Sequence, residues 1–134
     1  MSAVRVCRAP PGRVEVVDHE GRPLPDCSRF LERLQVRGLS PHTVESYAYD
    51  LTLAYRWLAE RRIRLENLRA DDLHQFIAWE RGRASHPKSI NRRLGTLRLY
   101  YRFVMGAELP GGVEPRRGWR AQRDRELGLQ RLPQ

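Results

Sequence analysis

Ile90, Leu94, Leu97, Tyr101 and Val104 recur at alternating steps of four and three, the period of a helix that buries a single stripe. From Arg81 to Arg102 the same stretch carries seven basic residues (Arg81, Arg83, Lys88, Arg92, Arg93, Arg98, Arg102) and no acidic one. The fold must therefore cover one face of this helix and leave the other to solvent or to an anion. At about 100° per residue, Lys88 and Arg92 fall nearly opposite the buried stripe. Asn91 lies on one flank and Ser89 on the other, while Arg93 sits closer to the apolar edge.

Three further helices precede this one. The first is predicted from about Ser28 to Arg37, with Phe30, Leu31 and Leu34 apolar and Gly38 as its stop. The second opens on Ser40-Pro41, a capping serine followed by proline at the first helical position. Its stripe is Val44, Tyr47, Ala48, Leu51, Tyr55 and Leu58, and Tyr49, Leu53 and Trp57 add a second strip, which predicts a central helix. The third spans roughly Ala70 to Arg81, with Leu73, Phe76 and Ile77 inward and Asp71-Asp72 in its first turn, where the helix dipole favours acids. The basic helix itself is predicted to be capped near Ser85 and to run to about Met105, before Gly106 and Pro110-Gly111-Gly112. Residues 1–26 read as an arm, its valines and the turn Asp18-His19-Glu20-Gly21 suggesting a short hairpin or an extended strap. The expected division is thus an arm over 1–26, a helical domain over 27–108 and a basic tail or interdomain linker over 109–134, with a helical turn near Arg120–Leu127.

The net charge of +9 and the pI near 10.7 favour a nucleic-acid partner over an acidic small molecule. Lys88 is the only lysine, so the sign of the charge is informative and the guanidinium chemistry less so. Cys7 and Cys27 are too few and too far apart for a metal site and read as unpaired thiols of a reducing compartment. No apolar run reaches the roughly 20 residues that span a bilayer, and no signal-peptide pattern opens the chain. A soluble, cytoplasmic protein without a membrane partner is expected.

Catalysis has little support. His19, His42, His74 and His86 lack metal-ligand spacing, and the sequence has no HExxH, no paired CxxC and no Gly-rich phosphate loop. No cofactor or metal is expected. Tyr47, Tyr55 and Tyr101 lie on core stripes and Tyr49 and Tyr100 flank them, without a cluster that would activate a hydroxyl. Binding to duplex DNA fits better, because an α-helix enters the major groove and helix N-termini favour phosphate. Lys88, Ser89, Asn91 and Arg92 supply cations and hydrogen-bonding groups near the start of the fourth helix. Ser40, His42, Thr43 and Ser46 do so near the start of the second.

These residues resemble a known family. Leu39-Ser40-Pro41-His42-Thr43-Val44-Glu45-Ser46-Tyr47, followed by Asp50-Leu51, is similar to the LSxxTxxxYxxDL opening of the core-binding domain of tyrosine recombinases, the phage-integrase family. Leu65 to Leu73 fits that family's LxxLTxxDL, and Ser85 to Val104 its SxxTINRRLSALRxFYRFL. The three blocks stand in order with matching gaps, covering about residues 28–105. Two positions depart: Arg69 replaces the usual helix-capping threonine, and Gly95 replaces a serine, which costs a helix up to about 1 kcal/mol relative to alanine.

The resemblance implies an all-α fold, a four-helix SAM-like bundle that clamps one face of duplex DNA opposite a separate catalytic domain. It implies DNA contacts from His42, Thr43 and Ser46 on one helix and from Lys88, Ser89, Asn91, Arg92 and Arg93 on the other. Other recombinase protomers are implied as partners. The family's catalytic arginines, histidine and tyrosine lie downstream of this region, so the chain is expected to lack catalysis of its own and to end in the linker before that domain. Two alternatives remain: a protein-interaction or self-association domain, with Leu53 and Leu99 as exposed candidates, and a stand-alone accessory DNA-binding protein.

Overall fold

A computed structural model describes residues 4–9 and 13–111. The expected features of the basic tail, including the turn near Arg120–Leu127, lie outside the described residues. Alternation of apolar and polar residues makes the first two elements strands. Strand β1 (Arg5–Ala9) pairs antiparallel with β2 (Arg13–Val17), in the register Arg5↔Val17, Cys7↔Glu15 and Ala9↔Arg13. The hairpin therefore forms upstream of the predicted turn. At that turn Asp18 Oδ1 accepts the N–H groups of Glu20 (2.8 Å) and Arg22 (3.0 Å), and Gly21 takes a positive φ. The chain then returns along β2, where Leu24 N–H donates to Val16 O at 2.9 Å.

Four helices follow. Helix α1 spans Pro25–Val36, α2 Pro41–Arg61, α3 Leu73–Gly82 and α4 Pro87–Met105. Each except α3 starts on proline, whose missing N–H costs nothing in the first turn and whose φ is already helical. This explains why α1 opens at Pro25 rather than Ser28. Short 3-10 turns at Leu65–Asn67 and Ala70–Asp72 lead into α3. At the position where Arg69 replaces threonine, the Asp72 carboxylate accepts Arg69 N–H at 2.9 Å, and Ala70 N–H donates to Pro110 O at 2.9 Å. Helix α4 is capped by His86, not Ser85: His86 Nδ1 accepts Lys88 N–H at 3.1 Å. Gly106, at φ 72°, ends it.

One apolar cluster joins hairpin and helices. Val4, Val14 and Val16 are buried with Cys27, Phe30, Leu31 and Leu34 of α1, Val44, Ala48, Leu51, Trp57 and Leu58 of α2, Phe76 of α3 and Leu97 and Tyr100 of α4. Phe30 meets Tyr47, Tyr100 and Phe103 edge-on at centroid distances of 6.2, 5.4 and 5.4 Å, which ties α1 to α2 and α4. Trp57 and Phe76, 5.3 Å apart, join α2 to α3. The architecture is mainly helical, but the strict all-α expectation is corrected by a hairpin whose valines belong to the core. Leu99 and Tyr100, off the predicted stripe, are also buried, so α4 is covered on more than one side and Leu99 is no exposed contact. Tyr49, predicted on an apolar strip, is instead 50% exposed.

Candidate nucleic-acid interface

The starts of α2 and α4 follow from local sequence. Ser40 Oγ accepts Thr43 N–H at 3.1 Å and lies 2.9 Å from Thr43 Oγ1. Ser46 Oγ donates to His42 O at 3.1 Å. A hydroxyl has one hydrogen and two lone pairs, so Ser46 in this state offers an acceptor outward. His42 is exposed, and Thr43 and Ser46 are half-buried. On α4, Lys88 and Asn91 are exposed and Ser89 is half-buried. These six side chains decorate the first turns of two helices that pack against each other.

Arg92 and Arg93 occupy a different place. Asp50, 2% exposed on α2, receives Arg92 Nη2 on Oδ1 at 2.8 Å and Arg92 Nε on Oδ2 at 3.3 Å. Thr96 Oγ1 adds a bond to Oδ2 at 3.0 Å. Glu80, fully buried on α3, accepts Arg93 Nη1 on Oε2 at 2.8 Å, and on Oε1 Arg83 Nη1 at 2.8 Å and Ser85 Oγ at 3.3 Å. Arg93 Nε stands 3.8 Å from Asp50 Oδ1, without a hydrogen bond, so Arg93 bridges both carboxylates. The Arg83 guanidinium also lies 4.7 Å from the Trp79 ring centroid. The hydrogen bond and charge of Asp50 push the Arg92 pKa further up, fixing its charge. Arg92 stays 48% exposed and Arg93 19%.

This network links α2, α3 and α4 close to the two helix starts. At 1.5 Å per residue, Asp50 is about 13 Å along α2 from Pro41, and Arg92 is about 8 Å along α4 from Pro87. Asp50, Glu80, Ser85 and Thr96 were not among the candidate site residues read from the sequence, where Asp50 entered only through a family motif and Ser85 only as a cap and a motif position. Their signal was available as polar residues on apolar periods: Asp50 between Ala48 and Leu51, and Glu80 three and four residues after Ile77 and Phe76.

Tyr55 and Tyr100 are placed for packing. Tyr55 and Tyr100 hydroxyls are 2.6 Å apart, and Tyr100 Oη lies 3.4 Å from Cys27 Sγ. Burial pushes the Cys27 thiol up to about 12 and both hydroxyls above the ordinary tyrosine range, so all three hold their protons. That is the reverse of an activated nucleophile. Cys7 and Cys27 are free thiols, the first exposed and the second buried. Among the described residues there is no group of side chains suited to a metal ion, and no helix is long and apolar enough to cross a membrane.

Comparison with known proteins supplies the family. The family described as phage integrase, N-terminal SAM-like domain, matches residues 27–108. Tyrosine recombinase XerC of Treponema denticola is 36% identical over 70 residues, which cover 52% of this chain and 23% of the relative. Tyrosine recombinase XerD of Rickettsia bellii is 30% identical over 79 residues (58% and 26%), and XerD of Pseudomonas aeruginosa 34% over 82 residues (60% and 28%). The chain thus spans about a quarter of the length of these curated relatives. No solved structure matches it. With more than half of its residues matched, the chain belongs to the phage integrase family of tyrosine recombinases and carries that family's N-terminal SAM-like domain.

Proposed function

We propose that this domain grips duplex DNA for a tyrosine recombinase through the first turns of α2 and α4. The observation that carries the reading is the surface around those turns: His42, Thr43 and Ser46 on one helix, Lys88, Ser89 and Asn91 on the other. No acid lies between Arg81 and Arg102 to repel phosphate. Arg92 and Arg93 contribute chiefly through the network that fixes α4 against α2 and α3, with the exposed part of Arg92 turned to the DNA. Phosphate contacts set the position of the domain, and base contacts come from the helix starts. Other protomers of the recombinase are the partners on DNA, and the residues beyond the helical domain act as a basic linker. A cytoplasmic location follows from the same reading.

Fluorescence anisotropy with labelled duplexes tests it. If about 4–5 phosphates are neutralised, log K falls against log salt with a slope of roughly −4. Lys88→Ala lowers that slope by about 1. Affinity that ignores salt, or no duplex affinity at all, defeats the reading. Self-association is the second reading, favoured by Tyr49, 50% exposed on α2 and one turn before the half-buried Leu53. Sedimentation velocity with and without duplex separates the two, since oligomers lacking DNA affinity support the second.

A further inference from the structure

Asp50 places a carboxyl group in the core with no apolar reason to be there, and among the described residues all of its side-chain partners come from α4. The geometry of the Arg92 pair is specific. A guanidinium has five N–H groups in one plane, and the pairing with Asp50 uses the edge formed by Nε and one hydrogen of Nη2. The outer edge, formed by one hydrogen of Nη1 and the second of Nη2, has no partner among the described residues. The inner edge lies against a carboxylate that is 2% exposed, yet the Arg92 side chain as a whole remains 48% exposed. Thr96 Oγ1, one turn further along α4, lies 3.0 Å from Asp50 Oδ2 and 3.1 Å from Arg92 O, and so fixes the carboxylate in turn.

We propose that Asp50 is a positioning residue for DNA recognition. It holds the Arg92 guanidinium so that the outer fork is presented, already oriented, to two adjacent acceptors on duplex DNA, with Thr96 fixing Asp50. The inference rests on the DNA-binding reading above. Two acceptors side by side are what guanine O6 and N7 offer in the major groove, and what a phosphate offers with two oxygens. Pairing with Asp50 offsets part of the charge of Arg92, which weakens it as a bare counter-charge. In return, an arginine held before binding loses less side-chain freedom on contact. Lys88, without an acidic partner among the described residues, remains the plain counter-charge at the same helix start.

The two effects predict opposite signs for Asp50→Asn, which raises the net charge by one while releasing Arg92. The test uses the full chain, first against a pool of randomised duplexes and then against the enriched duplex and an unrelated one of equal length. Wild type, Asp50→Asn, Arg92→Lys and the double variant are titrated, with a circular-dichroism melt of each. Positioning predicts that Asp50→Asn weakens the enriched duplex about tenfold and adds nothing once Arg92 is lysine. A guanine contact confines the loss to the enriched duplex, whereas a phosphate contact spreads it over both. Equal or tighter binding by Asp50→Asn, or a loss that adds in full to that of Arg92→Lys, overturns the proposal. If Asp50→Asn does not fold at the assay temperature, the Arg92 side-chain resonances of the wild type decide. A bonded Nε–H that is unchanged by DNA, with shifted Nη signals, supports positioning, and unshifted Nη signals overturn it. Wild-type protein without any duplex affinity defeats the DNA-binding reading itself, whereas wild type that binds beside an indifferent Asp50→Asn defeats the positioning alone.

Discussion

Removing Arg93 exposes what the buried network contributes. Glu80 is fully buried, and among the described residues its Oε2 accepts one hydrogen bond, from Arg93 Nη1 at 2.8 Å. Arg93→Ala leaves that oxygen unpartnered inside the protein, while Oε1 keeps Arg83 and Ser85. A hydrogen bond to a charged group contributes about 1.5–3 kcal/mol, and breaking a buried ion pair from one side costs about 3–5 kcal/mol. Arg83, with its side chain 37% exposed, still offsets part of the charge, and Asp50 keeps Arg92. The expected loss is therefore near the lower bound, about 3 kcal/mol, or a fall in Tm of roughly 12–24 °C for a domain of this size. Replacing both partners, as Glu80→Leu with Arg93→Met, removes the stranded charge and should cost far less, about 1 kcal/mol or under. Urea unfolding followed by circular dichroism at neutral pH measures both. If Arg93→Ala stays within about 0.5 kcal/mol of wild type, or if the double variant is as unstable as the single one, the network does not hold α3 and α4 together as argued.

Alkali should unfold the domain early. Burial raises Cys27 from 9.0 to about 12 and lifts Tyr55 and Tyr100 above 10.0, so the folded state keeps protons that the unfolded chain releases. Stability is then full below pH 9 and falls by about 1.4 kcal/mol per pH unit for each group involved, Cys27 first and the tyrosines from about pH 10. Urea midpoints that stay flat between about pH 8 and 11 would contradict this. Ser40→Ala deprives Thr43 N–H of its acceptor and should cost about 1 kcal/mol; a melt unchanged from wild type would show that the cap is idle. Ala84, at φ 59° between α3 and α4, occupies a backbone region that costs a residue with a Cβ about 1 kcal/mol. Ala84→Gly should therefore be neutral or slightly stabilising, and a clear loss in the same urea assay would refute the strain.

Periodicity made the helices legible because a helix that buries one face repeats its apolar residues every three or four positions. Proline, serine and glycine marked their ends for the same local reasons. Helix α1 opens three residues before the expected Ser28, at Pro25, because proline at a first helical position needs no N–H partner. The hairpin was harder to place, because its pairing joins Val17 to Arg5, a register that the valine pattern does not mark. Of the candidate site, the solvent-facing residues at both helix starts were readable from helical geometry, Lys88 and Asn91 most clearly.

What sequence could not supply was the fate of the arginines. Helical angle alone put Arg92 opposite the buried stripe, which is true of its Cα direction and silent about a long side chain that reaches a neighbouring helix. The partner, Asp50, lies 42 residues earlier in the chain. Local order thus determined the helices, their caps, the basic face and, through three ordered motifs, the family. Only the tertiary structure brought Asp50 and Glu80 beneath that face, because a carboxylate excluded from water must find its cations wherever packing places them. The fold thereby divides cations that look alike in the sequence, leaving Lys88 to solvent and binding Arg92 and Arg93 to buried acids.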